Sequence, residues 1–156
     1  RKNQIALSDF FGRHRVAMIG DGETLAAVAG AAKGHSDVKL YGALPNAETL
    51  RVVSRSRLMV HASLWEGVPR AMLEALACGT PVVAHGFAVQ ERFEGTRATR
   101  LVADGGLVQA TEELLADPAL LAAMGEEGRA FARARHGPQR LAEAADHILA
   151  MAEGRT

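Results

Sequence analysis

Short apolar runs alternate with stretches in which apolar positions recur every three to four residues, and this alternation continues along most of the chain. Val16–Ile19, Val38–Tyr41, Leu58–His61, Pro81–Ala84 and Thr99–Val102 are β-rich and mostly apolar, without polar residues at every second position. Strands of that composition are covered on both faces, as in a parallel sheet. Between them the period is helical over Gln4–Phe11, Glu23–Ala32, Ala47–Ser54, Arg70–Cys78, Val89–Phe93 and Leu107–Ala116. An order of helix, strand, helix, strand predicts an α/β fold built on a doubly wound parallel sheet.

The pattern changes after Ala116. Asp117 suits an N-cap and Pro118 the first helical position, and two helices follow with Gly137-Pro138 between them. Their periodic apolar positions, Leu120, Met124 and Phe131, then Leu141, Ala145 and Ile148, predict packing against the flank of the domain or against a missing neighbour. No internal repeat, low-complexity tract or Ser-rich linker divides the chain, so its 156 residues read as one domain.

Charge narrows the partners. Lys plus Arg number 18 and Asp plus Glu number 18, which gives no overall pull toward nucleic acid or anionic lipid. An anionic ligand must therefore be held locally. Cys78 stands alone in an apolar run, where a small buried side chain is expected, and a disulfide framework is excluded. No apolar stretch approaches the roughly 20 residues of a membrane-spanning helix, and Arg1-Lys2-Asn3-Gln4 lacks the apolar region of a signal peptide. A cytoplasmic protein is expected. The chain also reads as cut at its N-terminus, since it has no initiator methionine and opens inside a helical pattern. The histidines at 14, 35, 61, 85, 136 and 147 show no ligand-like spacing, so no metal site is predicted. His61 is expected to be packed or solvated and receives no role. Trp65 suits either a cover over a ligand or an anchor for its loop.

The densest information runs from His61 to Val83, which reads as strand, tight loop, helix, turn, strand. Pro69 suits the first helical turn, Gly79 the left-handed position that ends a helix, and Pro81 the stop beyond it. The loop thus brings a helix N-terminus to the carboxyl end of a parallel strand, where free amides and the helix dipole favour a phosphate. On the helix, Met72, Leu73 and Leu76 make an apolar face, and Arg70, Glu74 and Ala77 share another side. Arg70 and Glu74 form either a surface ion pair or part of a binding edge. A carboxylate accepting two hydrogen bonds can hold a vicinal diol such as a ribose, and Glu66 in the loop can hold sugar hydroxyls in the same way.

Glu66, seven intervening residues, Glu74, then a small-residue helix ending Cys78-Gly79-Thr80-Pro81-Val82-Val83 resembles the donor-binding signature of the retaining glycosyltransferases of family 4, or group 1. Their fold, GT-B, places two Rossmann-like domains on either side of a cleft. The resemblance extends to Ile19-Gly20-Asp21-Gly22-Glu23, similar to the family's loop after a strand. It includes Leu40-Tyr41-Gly42-Ala43-Leu44-Pro45-Asn46, similar to its base-binding loop, and the helices that start at Asp117 and include Met124 to Arg129. Lys2-Asn3-Gln4 resembles the end of the segment whose Arg and Lys hold the diphosphate.

The resemblance implies that residues 1–156 are the C-terminal, donor-binding domain, with the acceptor-binding N-terminal domain absent. The ligand is then a nucleotide diphosphate sugar, bound as substrate, with neither cofactor nor metal. By similarity Glu66 carries the catalytic position and holds the donor sugar. Glu74 holds the ribose, Gly67, Val68 and Arg70 the sugar and phosphates, Leu44 the base, and Gly20 belongs to the donor loop. Lys2 offsets charge on the leaving diphosphate. The acceptor class suggested is a polysaccharide or glycolipid, with peripheral attachment of the full-length enzyme at the inner face of a membrane.

Two departures stand out. Many relatives carry Gly-Phe-Gly-Leu where this chain has Gly67-Val68-Pro69-Arg70, so Pro69 removes an amide donor and Arg70 offers a guanidinium. His85-Gly86-Phe87-Ala88-Val89 replaces a frequent Gly-Gly pair followed by Pro-Glu. Two other readings remain open at this point. A dinucleotide-binding oxidoreductase accounts for Gly20-Asp21-Gly22 after a strand, but Leu25 takes the third glycine position and no acid ends the next strand. A nucleotide-binding module without catalysis accounts for the chain as a single domain.

Overall fold

The computed structural model describes residues 2–93, 95–140 and 142–143. A 3₁₀ helix over Gln4–Phe10 opens the chain, followed by β1 (Val16–Met18), α1 (Leu25–Ala31), β2 (Val38–Leu40), α2 (Asn46–Ser54) and β3 (Met59–His61). Then come α3 (Arg70–Cys78), β4 (Val82–His85), α4 (Gly86–Phe93), β5 (Thr99–Val102), α5 (Leu107–Leu115) and α6 (Pro118–His136). All strand pairs are parallel, as the α/β alternation predicts.

The sheet layer is doubly wound around β4, which pairs with β3 on one side and β5 on the other. All four β4 residues are buried. Val82 and Ala84 join Met72 and Leu76 of α3, Val89 and Phe93 of α4 and Ala132 of α6. Val83, pointing the other way, joins Leu107, Ala110 and Leu114 of α5 and Leu121 and Met124 of α6. The period-two alternation of a strand thus feeds two cores, each worth about 1.5–3 kcal/mol per large side chain buried.

The first half differs from the expectation of one continuous, doubly covered sheet. β1 and β2 pair only with each other, and the middle residues of both, Ala17 and Lys39, are exposed. Among the described residues nothing covers that face, and Lys39 lies with its ammonium 4.6 Å from the Tyr41 ring centroid. The halves are joined by side-chain packing: α2 lies on α3, Thr80 donates to the Val53 carbonyl at 2.9 Å, and Ala6 and Leu7 reach the core around Val83.

Four further expectations need correction. The opening segment is a 3₁₀ helix, with Ala6 N–H bonding Asn3 O and Phe11 N–H bonding Ser8 O; at seven residues it is too short to gain much from i to i+4 bonds. α4 starts at Gly86, directly after β4, rather than at Val89. On α6, Leu120 is 39% exposed and the buried stripe is Leu121, Met124, Gly125, Gly128 and Ala132, because the helix lies against α3 on its glycine side. Asp117 caps α6 as expected, accepting from Leu120 N–H at 2.9 Å. Cys78 is half-buried rather than buried, and burial followed by the charge of Glu74 raises its thiol pKa. Residues 138–140 and 142–143 are helical; the predicted packing positions Leu141, Ala145 and Ile148 lie outside the described residues. Among the described residues no helix is long and apolar enough to cross a membrane.

Candidate functional site

β3, β4 and their following loops deliver side chains to the carboxyl edge of the sheet, where α3 begins. Ladder bonds fix β3 against β4, with His61 opposite Ala84, so the chain leaves the sheet at a defined point. Ser63 is buried and donates to the Trp65 carbonyl at 3.0 Å. That local turn folds Glu66 back over the strand end.

Glu66 is the most constrained group of the site. Its side chain is only 6% exposed, and Oε1 receives both Lys2 Nζ at 2.6 Å and His61 Nε2 at 3.0 Å. Burial pushes its pKa up, but hydrogen bonds from Lys2 and Ser63 and the charges of Lys2 and His61 outweigh this, leaving the carboxyl below its ordinary range. An ionised carboxylate can only accept, so His61 donates through Nε2. Burial holds His61 below its usual pKa; Glu66 opposes this, while the charges of Lys2 and His85 add to it.

Glu74 sits five residues into α3 in a looser setting. It accepts from Asn46 Nδ2 at 3.4 Å, and Arg70 Nη2 lies 3.9 Å away. The side chain of Arg70 is 82% exposed, so the pair by itself contributes little, of the order of 0.3 kcal/mol. Asn46 opens α2, directly after the loop that carries Leu44. The base-loop candidate and the ribose candidate therefore share one corner.

α3 starts at Arg70 as the residue order predicts, with Pro69 at its N-cap, φ −78° and ψ 69°. The Arg70 amide bonds the Val68 carbonyl at 2.8 Å, an inverse γ-turn. With no N–H on Pro69 and that of Arg70 already used, the exposed Arg70 guanidinium becomes the obvious anion partner at this point. Gly67 and Val68 are exposed in the same loop. At the other end of the helix Gly79 takes φ 77°, the left-handed cap foreseen.

Gly20 has φ 129°, a conformation that requires glycine, and its amide donates to the Gly42 carbonyl at 2.7 Å. The bond ties the loop after β1 to the loop after β2. Gly20 therefore acts through the backbone shape of this edge, with its amide occupied. Gln4 accepts from Thr24 Oγ1 at 3.0 Å beside the same loop.

The structure thus brings Lys2 to Glu66 and Arg70 to Glu74, and it adds His61, Ser63 and Asn46, which the sequence reading left without roles. His61 and Ser63 lie within five residues of Glu66, so the local spacing carried a signal. Asn46 lies 28 residues from Glu74 and carried none. Among the described residues no group of three or more His, Cys, Asp or Glu side chains could hold a metal ion.

A family model described as glycosyl transferases group 1 matches residues 5–117. No curated protein matches the chain. Among solved structures, sucrose-phosphate synthase from Thermosynechococcus elongatus is similar with a TM-score of 0.81 at 19% identity, over 97% of this chain and 41% of that one. HepE from Anabaena, solved in complex with UDP and glucose, gives 0.78 at 21% identity over 94% and 45%. WaaG, a glycosyltransferase involved in lipopolysaccharide biosynthesis, gives 0.68 at 19% identity over 85% and 37%. The chain therefore spans less than half the length of these similar proteins. Their likeness shows the fold, and the family match decides against the oxidoreductase reading.

Proposed function

The chain belongs to the group 1 glycosyltransferases, and from that premise we propose that it is the donor domain of a retaining enzyme, binding a uridine diphosphate hexose. The observation that carries this reading is the pair of carboxylates flanking the start of α3, Glu66 held ionised by Lys2, His61 and Ser63, and Glu74 facing Asn46. Glu66 takes the hydroxyls of the donor sugar. Glu74 takes the ribose diol, with Asn46 beside it and the Leu44 loop presenting backbone groups to the base. The exposed Arg70 guanidinium and the Gly67-Val68 loop meet the diphosphate.

Lys2 serves two partners in turn. Its side chain is long and 57% exposed, so it can leave Glu66 for the diphosphate. There it stabilises the negative charge that grows on the leaving group as the sugar–phosphate bond breaks. Uridine is preferred among the bases because a similar structure holds UDP and glucose.

The acceptor, a polysaccharide or glycolipid, binds to a further domain that closes the cleft, at the cytoplasmic face of a membrane in the full-length enzyme. Residues 1–156 alone then bind donor without turnover. Calorimetric titration of the chain with UDP, UDP-glucose, GDP and NAD tests the reading. UDP and UDP-glucose binding that exceeds GDP and NAD supports it; NAD binding in preference to UDP, or no binding of UDP, sinks it.

A further inference from the structure

The Lys2 side chain is more than half exposed, and on the proposed reading it leaves Glu66 when the diphosphate arrives. What remains on the carboxylate is the strand itself. His61 is the last residue of β3, its side chain is 10% exposed, and β3 is locked to the buried β4. We propose that His61 is the positioning residue of Glu66: its Nε2–H, 3.0 Å from Oε1, fixes the carboxylate so that its remaining lone pairs face the donor sugar. The inference rests on the donor-site reading and extends it to a residue outside the family signature.

The chemistry favours a neutral donor here. A carboxylate offers about four acceptor sites. A permanently charged neighbour on Oε1 orients the group but competes with sugar hydroxyls for its charge; an imidazole N–H orients it and leaves the charge in place. The groups that bear on the ring are Glu66, Lys2 and His85, and burial, aided by the charge of Lys2, holds its pKa below the usual value and so favours the neutral ring near pH 7. With the ring anchored at the strand end, Glu66 keeps its direction after Lys2 departs.

The test uses the 156-residue chain, its His61→Ala and His61→Gln variants, and UDP and UDP-glucose as probes. Glutamine can place an amide N–H near the position of Nε2. The expected result is a UDP affinity unchanged within about twofold in all three, and a UDP-glucose affinity about tenfold lower in His61→Ala, the scale of one hydrogen bond to a charged group, restored in His61→Gln. A ratio of UDP-glucose to UDP affinity that His61→Ala leaves unchanged, or that His61→Gln fails to restore, overturns the proposal. A second readout needs no ligand and no folded variant at position 61: nitrogen-15 long-range spectra of the wild-type histidines report the tautomer. An Nε2–H tautomer at His61 that loses its preference in Glu66→Ala supports the pairing, and an Nδ1–H tautomer in the wild type refutes it. Loss of UDP binding in the wild type would remove the donor reading, while the tautomer would still decide whether His61 holds Glu66.

Discussion

The two carboxylates of the site are held in opposite ways. Glu66 is nearly buried and has Lys2, His61 and Ser63 around it. Glu74 is 32% exposed and meets its neighbours only at 3.4 and 3.9 Å. One is set before any ligand arrives; the other keeps its acceptor sites open to whatever enters. The difference follows from position. Glu66 lies in a loop anchored to a buried strand, whereas Glu74 projects from the solvent side of α3, whose apolar face, Met72, Ala75 and Leu76, is turned into the core. A preorganised group adds selectivity at little further entropic cost on binding, and an open one contributes affinity that depends on the ligand it meets.

The sharpest way to break this comparison is to remove the constrained member. Glu66→Ala leaves His61 without its acceptor in a buried setting, so we expect a loss of about 1–3 kcal/mol in unfolding free energy. UDP-glucose should bind at least ten times more weakly while UDP changes little. Urea unfolding and calorimetry check both. Unaltered stability would mean that Glu66 is no more constrained than Glu74.

Next comes the far end of α3. Gly125 of α6 packs so closely that a Cβ there would lie 2.5 Å from the Gly79 carbonyl oxygen, a backbone atom. Gly125→Ala should therefore cost about 1–3 kcal/mol in stability by overpacking. Any shift of α3 moves Arg70 and Glu74 with the helix, whereas Glu66 stays with β3. The expected signature is weaker UDP binding with the added affinity for the glucose unit retained, measured in the same titrations. A loss confined to the glucose unit would contradict the separate anchoring of the two carboxylates.

Much of this arrangement was legible from residue order, and the failures have physical causes. The limits of α3 match Arg70–Cys78 because Gly79 and Pro81 are strong local stops. The γ-turn at Val68 to Arg70 was not foreseen, since it depends on loop geometry rather than on residue type. The uncovered face of β1 and β2 was missed because Val16-Ala17-Met18 and Val38-Lys39-Leu40 are too short to separate one-sided from two-sided burial. Glu66 and Glu74 were identified through their spacing. Their surroundings split: His61 and Ser63 were within local reach, and Asn46 came only from tertiary packing of α2 on α3.

The open member of the pair gives a smaller effect. Glu74→Ala should weaken UDP binding by about 1 kcal/mol, the loss of hydrogen bonds to one diol. Stability should stay within about 0.5 kcal/mol, as for an exposed ion pair. A stability loss as large as that of Glu66→Ala would show that Glu74 is a structural anchor and would erase the contrast.

The smallest effect expected is a pH dependence, and its sign is fixed by the two depressed pKa values. His61 titrates below its usual 6.5 in the folded chain and near 6.5 when unfolded. As pH falls below about 6.5, the unfolded chain binds the proton first, so stability declines on acidification until the folded ring is also protonated. Glu66 has the same sense, with its contribution lost as pH falls below its ordinary 4.5 through its lower folded value. His61→Gln removes the first component and keeps the second. Urea midpoints followed between pH 7.5 and 5 should therefore fall less steeply in His61→Gln than in the wild type. The variant serves as the reference because it differs from the wild type only at position 61. Parallel slopes would mean that His61 gains as much from the charge of Glu66 as it loses by burial, and its pKa would then not be depressed by folding.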